Sequence, residues 1–264
     1  MKKSILISSL FVAAALVSQS AMAEIKIRAG AGSSTYELGG DYTHAKSKYT
    51  PKNVGLTFSS DTAANGAYLD LSYSGGSGEH DGWATANVVS SVCGGSCGNA
   101  ASAKEDFKRS DFALTGGVVF LNQNNGVAGN VYVGLKTGKT TLSASSATTL
   151  PWTEETFETS GVIFGGGASF PIAGGRAGSV GVNVGLGIMG AKWKDNSTAG
   201  FSATADSAVG GSLGASYTFP FTSNFGVTAD YKYHSYSYNF GTSATPFTVR
   251  ERISTLGATL YAKF

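Results

Sequence analysis

Apolar residues recur at every second position along most of this chain, and that period limits what it can fold into. Val180, Val182, Val184, Leu186 and Ile188 alternate with Ser179, Gly181, Asn183, Gly185 and Gly187. Leu213, Ala215, Tyr217 and Phe219 alternate with Ser212, Gly214, Ser216 and Thr218. The last residues, LGATLYAKF from Leu256 to Phe264, repeat the pattern to the end. A period of two sorts side chains onto the two faces of a strand, whereas a helix would need 3.6. About ten such segments are legible, over 24–36, 52–60, 66–74, 110–121, 127–143, 158–170, 179–194, 208–219, 225–240 and 253–264. Glycine is 37 of 264 residues, proline only 5 and charge 14%. With twelve Tyr and fifteen Phe, that composition suits an all-β chain and not a disordered one.

The connections separate two architectures. SDTAANG, NQNNG, PIAGGRAG and PFTSN are short and carry the Gly, Asn and Pro of tight turns. The others are longer, up to the stretch from Gly75 to Arg109. Pro151, Pro171, Pro220 and Pro246 all fall between segments, where a residue without an N–H belongs. A soluble β-sandwich would also alternate, but its outer face would be charged, and here that face is rich in Gly and Tyr. Strands near 9–11 residues with turns alternately short and long predict a transmembrane antiparallel up-and-down β-barrel of about ten strands, with short periplasmic turns and long extracellular loops. In hydrocarbon no sheet edge is tolerated, so the first strand must pair with the last.

The N-terminus sets the compartment. Lys2 and Lys3, the apolar run Ile5 to Val17 and the small residues Ala21 and Ala23 form, in order, the parts of a secretory signal peptide. Cleavage is expected after Ala23, leaving 24–264 as a single barrel domain. The signal holds two of the 19 basic residues and no acid, so the remainder carries 17 basic and 17 acidic residues. A formal charge of zero gives no reason to expect nucleic-acid binding.

The signal peptide, the paired short and long connections and the terminal strand LGATLYAKF resemble those of bacterial outer-membrane β-barrel proteins of the small opacity, surface-antigen or narrow-porin type. The resemblance spans 24–264. It implies that the C-terminal strand is read by the barrel assembly machinery, with Phe264 as the terminal aromatic; Ala262 stands where the family often has a larger side chain. A monomer in outer-membrane lipid is expected.

If Phe264, Leu260 and Val184 face lipid, parity turns Lys26, Arg28, Asp70, Lys136, Asp230, Lys232, His234 and Lys263 toward the lumen. These charges either pair and plug a narrow barrel or line a small anion-favouring pore. Inward glycines such as Gly30, Gly117, Gly165 and Gly214 remove filling volume, or else ease a tight curvature. The preferred reading is a narrow channel for small solutes. Its rival is a non-conducting structural or surface-interaction barrel working through its loops. Phe58, Phe120, Phe170, Phe219 and Phe264 end the descending segments with lipid-facing parity, which predicts a periplasmic aromatic girdle.

Cys93 and Cys97 in VCGGSCG predict a disulfide in an exported loop, since a metal site would want more ligands. Glu79, His80 and Asp81 in the same stretch read as a solvated turn. Lipid A deacylases and outer-membrane phospholipases use a Ser two residues from a His, and omptin-type proteases pair acids with a His. None of His44, His80 and His234 stands in a His-x-Ser pattern. Asp230 and His234, four apart on a strand, are roughly 13 Å from each other. No catalysis and no cofactor are therefore expected. Tyr36, Tyr42, Tyr49, Trp83, Trp152, Phe157, Tyr236, Tyr238 and Phe247 cluster toward the outer ends, as an interfacial girdle or an adhesive surface.

Overall fold

The computed structural model describes residues 22–40, 44–60, 65–81, 105–144, 154–195, 202–240 and 247–264. Its strands are β1 (Met22–Gly40), β2 (His44–Tyr49), β3 (Lys52–Ser60), β4 (Asn65–Asp81), β5 (Glu105–Leu121), β6 (Ala128–Ala144), β7 (Glu154–Pro171), β8 (Ser179–Asp195), β9 (Ser202–Pro220), β10 (Phe225–Phe240) and β11 (Phe247–Lys263). Both β2 and β3 lie between β1 and β4, so together they form one stave broken at Thr50 and Pro51. Pro51 has no N–H to give, but its carbonyl still accepts from the Gly32 N–H at 3.0 Å. The barrel therefore has ten staves, each antiparallel to its neighbours, and β11 pairs with β1 to close the ring.

The register fixes the dimensions. A path from Lys26 runs through Thr57, Asp70, Thr115, Gly134, Ile163, Gly187, Gly210, Tyr236 and Glu251. It returns to β1 at Leu38, twelve residues further along. Ten staves with that stagger tilt by about 40° and enclose a barrel roughly 20 Å across between backbones. At the periplasmic end the described connections are tight. The Gly126 N–H donates to the Asn122 carbonyl at 2.8 Å, with Gly126 at φ 68°. Thr222 Oγ1 accepts from the N–H groups of Asn224 and Phe225.

Along each stave the apolar set changes face. On the lower part of β8, Val180, Val182, Val184, Leu186 and Ile188 are exposed outward, Val184 by 59%. Further up the same strand Met189 and Trp193 point inward and are buried, while Lys192 and Lys194 occupy the outer face. On β11 the outward series Phe264, Leu260 and Leu256 gives way to the buried inward series Ile253, Glu251 and Val249. The nine residues from Leu256 to Phe264, at 3.3 Å each and tilted, span roughly 20–25 Å, the height of an outer-membrane apolar band. The staves rise roughly 20 Å beyond it, and there the inside is dry and the outside charged.

All ten expected segments are strands, but most extend further at the extracellular end than the alternation suggested. Ser202–Ala208, Phe247–Arg252 and Glu105–Arg109 belong to β9, β11 and β5. Glu79, His80 and Asp81 lie on the end of β4 and not in a solvated turn, opposite Lys48, Ser47 and Lys46. Cys93, Cys97 and residues 1–21 of the expected signal peptide lie outside the described residues, and β1 starts at Met22, just before the expected cleavage point.

Candidate functional site: a lumen closed from above

The membrane-level lumen is polar and most of its charges are paired. Arg28 Nη2 meets Asp70 Oδ1 at 2.5 Å, and Thr57 donates to the same oxygen at 2.6 Å. Asp230 Oδ2 lies 3.2 Å from Lys232 Nζ on the same strand face, and Lys263 Nζ is 3.3 Å from Glu24. Lys26 sits 4.4 Å over the Tyr261 ring and Lys136 5.7 Å over that of Tyr236. His234 Nδ1 and Asn130 Oδ1 are buried without a hydrogen-bond partner among the described residues. The Lys232 side chain, although inward, is 53% exposed. A water-accessible space therefore exists at mid-height.

The inward glycines do not leave a clear bore. A β-carbon on Gly117 would lie 2.9 Å from the Tyr68 ring, and one on Gly187 2.9 Å from Tyr236. Tyr132 covers both Gly165 and Gly185, whose added β-carbons would come within 2.6 and 2.7 Å of its hydroxyl. Tyrosines on one stave thus lie across glycines on the next. Cβ positions at Gly30, Gly134 and Gly165 would also strike carbonyls of the adjacent strand. Glycine here permits close coiling of the wall, with its volume taken by the rings.

Above this level the lumen ends. Arg109 is 3% exposed. It donates through Nη1 to Thr140 and Glu251, both at 2.7 Å, and through Nε and Nη2 to the two oxygens of Asp111 at 2.8 and 2.7 Å. Its guanidinium also stands 5.0 Å from the Tyr36 ring centroid. On this floor rests an apolar core drawn from staves all around the barrel: Tyr36, Leu38, Tyr49, Phe107, Leu142, Phe157, Met189, Trp193, Tyr238, Phe240 and Val249. Tyr36, Phe107 and Tyr238 are 0% exposed. Tyr36 and Phe107 pack at 5.2 Å, Phe157 and Tyr238 edge-on at 5.4 Å, and Phe240 and Phe247 stack at 5.3 Å. Burial holds the Tyr238 phenol well above its ordinary range, and its hydroxyl has no partner among the described residues.

The eight residues expected in the lumen all lie on inward positions of β1, β4, β6, β10 and β11. The register draws Lys26 and Arg28 against Lys263 and Tyr261, as adjacency of first and last strands requires. The Asp230 carboxylate is engaged by Lys232, on the same strand face as His234. Phe120, Phe170, Phe219 and Phe264 are exposed at the lower end of the wall, and Phe58 is half-buried in the same tier. The aromatics expected at the outer rim are placed differently. Tyr36, Tyr49, Phe157, Tyr236 and Tyr238 point into the core and form neither girdle nor adhesive surface, and Tyr42, Trp83 and Trp152 lie outside the described residues. Sequence reasoning missed Arg109, Asp111 and Glu251. The signal was present in Val249-Arg250-Glu251-Arg252-Ile253, whose apolar parity is opposite to that of Leu256-Leu260-Phe264.

No family model and no curated protein matches this sequence. Solved structures do match. The outer membrane protease OmpT from Escherichia coli is 10% identical with a TM-score of 0.59, over 92% of this chain and 97% of that one. The translocator domain of the autotransporter NalP from Neisseria meningitidis gives 10% and 0.46, over 98% and 95%. The attachment invasion locus protein Ail of Yersinia pestis gives 14% and 0.34, over 91% and 99%. The fold is that of a bacterial outer-membrane β-barrel, and the apolar belt sets it in that membrane. The expectation of no catalysis is corrected by the first of these: the same barrel is the frame of a protease, so this architecture gives no ground for excluding an enzyme.

Proposed function

We propose that this protein is a non-conducting outer-membrane barrel that holds a rigid charged wall and its connecting segments at the outer surface. One observation carries the reading: the upper lumen is filled by a core in which Tyr36, Phe107 and Tyr238 are wholly buried. Barrels of eight strands are filled by side chains and wide ones conduct; this ten-stave wall is filled above and wet below. The pairing of the lumen charges supports the same view. LGATLYAKF is read as the segment recognised by the assembly machinery, and the closed wall, with no free edge among the described residues, as a monomer.

A narrow channel is the second reading, favoured by the exposure of Lys232 inside the wall. It requires the aromatic core to move. Planar-bilayer recording of the refolded chain separates the two. The expected outcome is a natively folded protein without ion-selective openings. Steady openings whose selectivity moves toward cations in Lys232→Glu would establish the channel instead.

A further inference from the structure

The outer face of the wall is layered just above the apolar belt. Ser33, Ser110, Thr137, Ser160, Ser235 and Ser254 each follow, two residues up their stave, directly on the last outward apolar side chain. The next tier is charged. Lys139 in that tier is held by Glu158 at 3.1 Å and Lys46 by Glu37 at 2.8 Å, and Lys192 and Lys194 on β8, without an ion pair among the described residues, are point charges that cannot bind an anion through a planar fork. Arg250 and Arg252 on β11 are different. Of the five arginines, Arg28 and Arg109 point inward and Arg176 lies in a periplasmic turn, so these two alone are on the outward face of a strand.

Neither of the pair is neutralised at close range. Arg252 reaches Glu37 only at 3.8 Å, and that carboxylate already holds Lys46. Arg250 donates to the Ser237 hydroxyl at 3.2 Å and has no carboxylate partner among the described residues. Their strand partners on β10 are Ser237 and Ser235. Two guanidinium groups about 7 Å apart on one face, with hydroxyls beside them, can flank a single phosphate and donate to it from both sides. Beneath them Leu256 and Tyr231 are exposed to lipid, by 64% and 47%.

We infer that Arg250 and Arg252 bind a phosphate group of an anionic glycolipid in the outer leaflet, whose acyl chains lie along Leu256 and Leu260. Charge selects the phosphate. Continuity with the apolar belt selects a lipid-borne phosphate over a free one, because a free ion has no use for the leucines below. The hydroxyl row between belt and arginines suits a sugar linking the two.

The test compares vesicles. The refolded chain is reconstituted in phosphatidylcholine alone, with one-fifth phosphorylated lipopolysaccharide, with the same lipopolysaccharide dephosphorylated, and with one-fifth phosphatidylglycerol. Apparent unfolding temperature is followed by gel mobility. The phosphorylated glycolipid is expected to raise it by roughly 3–6 °C, and the other lipids by much less. Arg250→Gln with Arg252→Gln should abolish the rise while unfolding like the parent in phosphatidylcholine. Lys139→Gln, in the same tier on the far side, should retain it. The inference is overturned if the double variant keeps the rise, if Lys139→Gln loses as much, if phosphatidylglycerol acts equally well, or if free phosphate on phosphatidylcholine vesicles gives the same shift.

Discussion

Arg109 shows how much of this protein depends on single contacts hidden from solvent. Four of its donor bonds are satisfied by Thr140, Glu251 and Asp111. Cutting one partner from a buried charge pair leaves an uncompensated ion, so Glu251→Ala should cost about 3–5 kcal/mol in urea unfolding. Glu37→Ala, which breaks only exposed pairs, should cost about 0–1 kcal/mol. The glycines allow an equally local comparison. Gly165→Ala drives a β-carbon into the Val184 carbonyl and the Tyr132 hydroxyl and should destabilise by about 1–3 kcal/mol. Gly116→Ala, whose nearest neighbour would be at 3.8 Å, should stay within about 0.5 kcal/mol of the parent. A reversed order in either pair would mean that the packing described for the lumen does not carry the stability.

At the scale of the strand, each stave meets two solvents. Below, lipid takes the apolar side chains outward; above, water outside pushes them in. Val184→Arg, at the middle of the belt, should therefore cost about 2–4 kcal/mol in unfolding of the reconstituted barrel. Lys194→Val, beyond it, should be near neutral. This change of solvent also explains what was legible beforehand. The lower part of β8 and the tail of β11 reveal themselves because outward apolar residues alternate with small polar ones. Val249, Glu251 and Ile253 continue the same strand with the opposite apolar parity. A reading that follows one parity stops at Ile253, and for the same reason it places the upper ends of β5, β9 and β11 in loops. Parity assigns each lumen charge a face of its own strand. It does not give their pairing, since the bond from Arg28 to Asp70 joins residues on staves separated by β3 and depends on the curvature of the wall.

For the molecule as a whole, the wall divides into a wet lower chamber and a dry upper one, and accessibility should report the boundary. In a chain with Cys93→Ser and Cys97→Ser, a cysteine placed at Lys232 should react rapidly with a small water-soluble thiol reagent. One placed at Leu142, buried in the upper core, should react only on unfolding. Equal labelling would mean that the upper core is open in the membrane.

The core that closes the lumen is not a separate piece. Tyr36 comes from β1, Phe107 from β5, Leu142 from β6, Phe157 from β7, Trp193 from β8, Tyr238 from β10 and Val249 from β11. A bottle's cork can be drawn, but here the stopper is cut from the staves of the cask. There is no inserted loop or helix among these residues to swing aside. Closing the ring brings the parts of the stopper together, and anything that opened the bore fully would have to turn side chains anchored on seven staves at once.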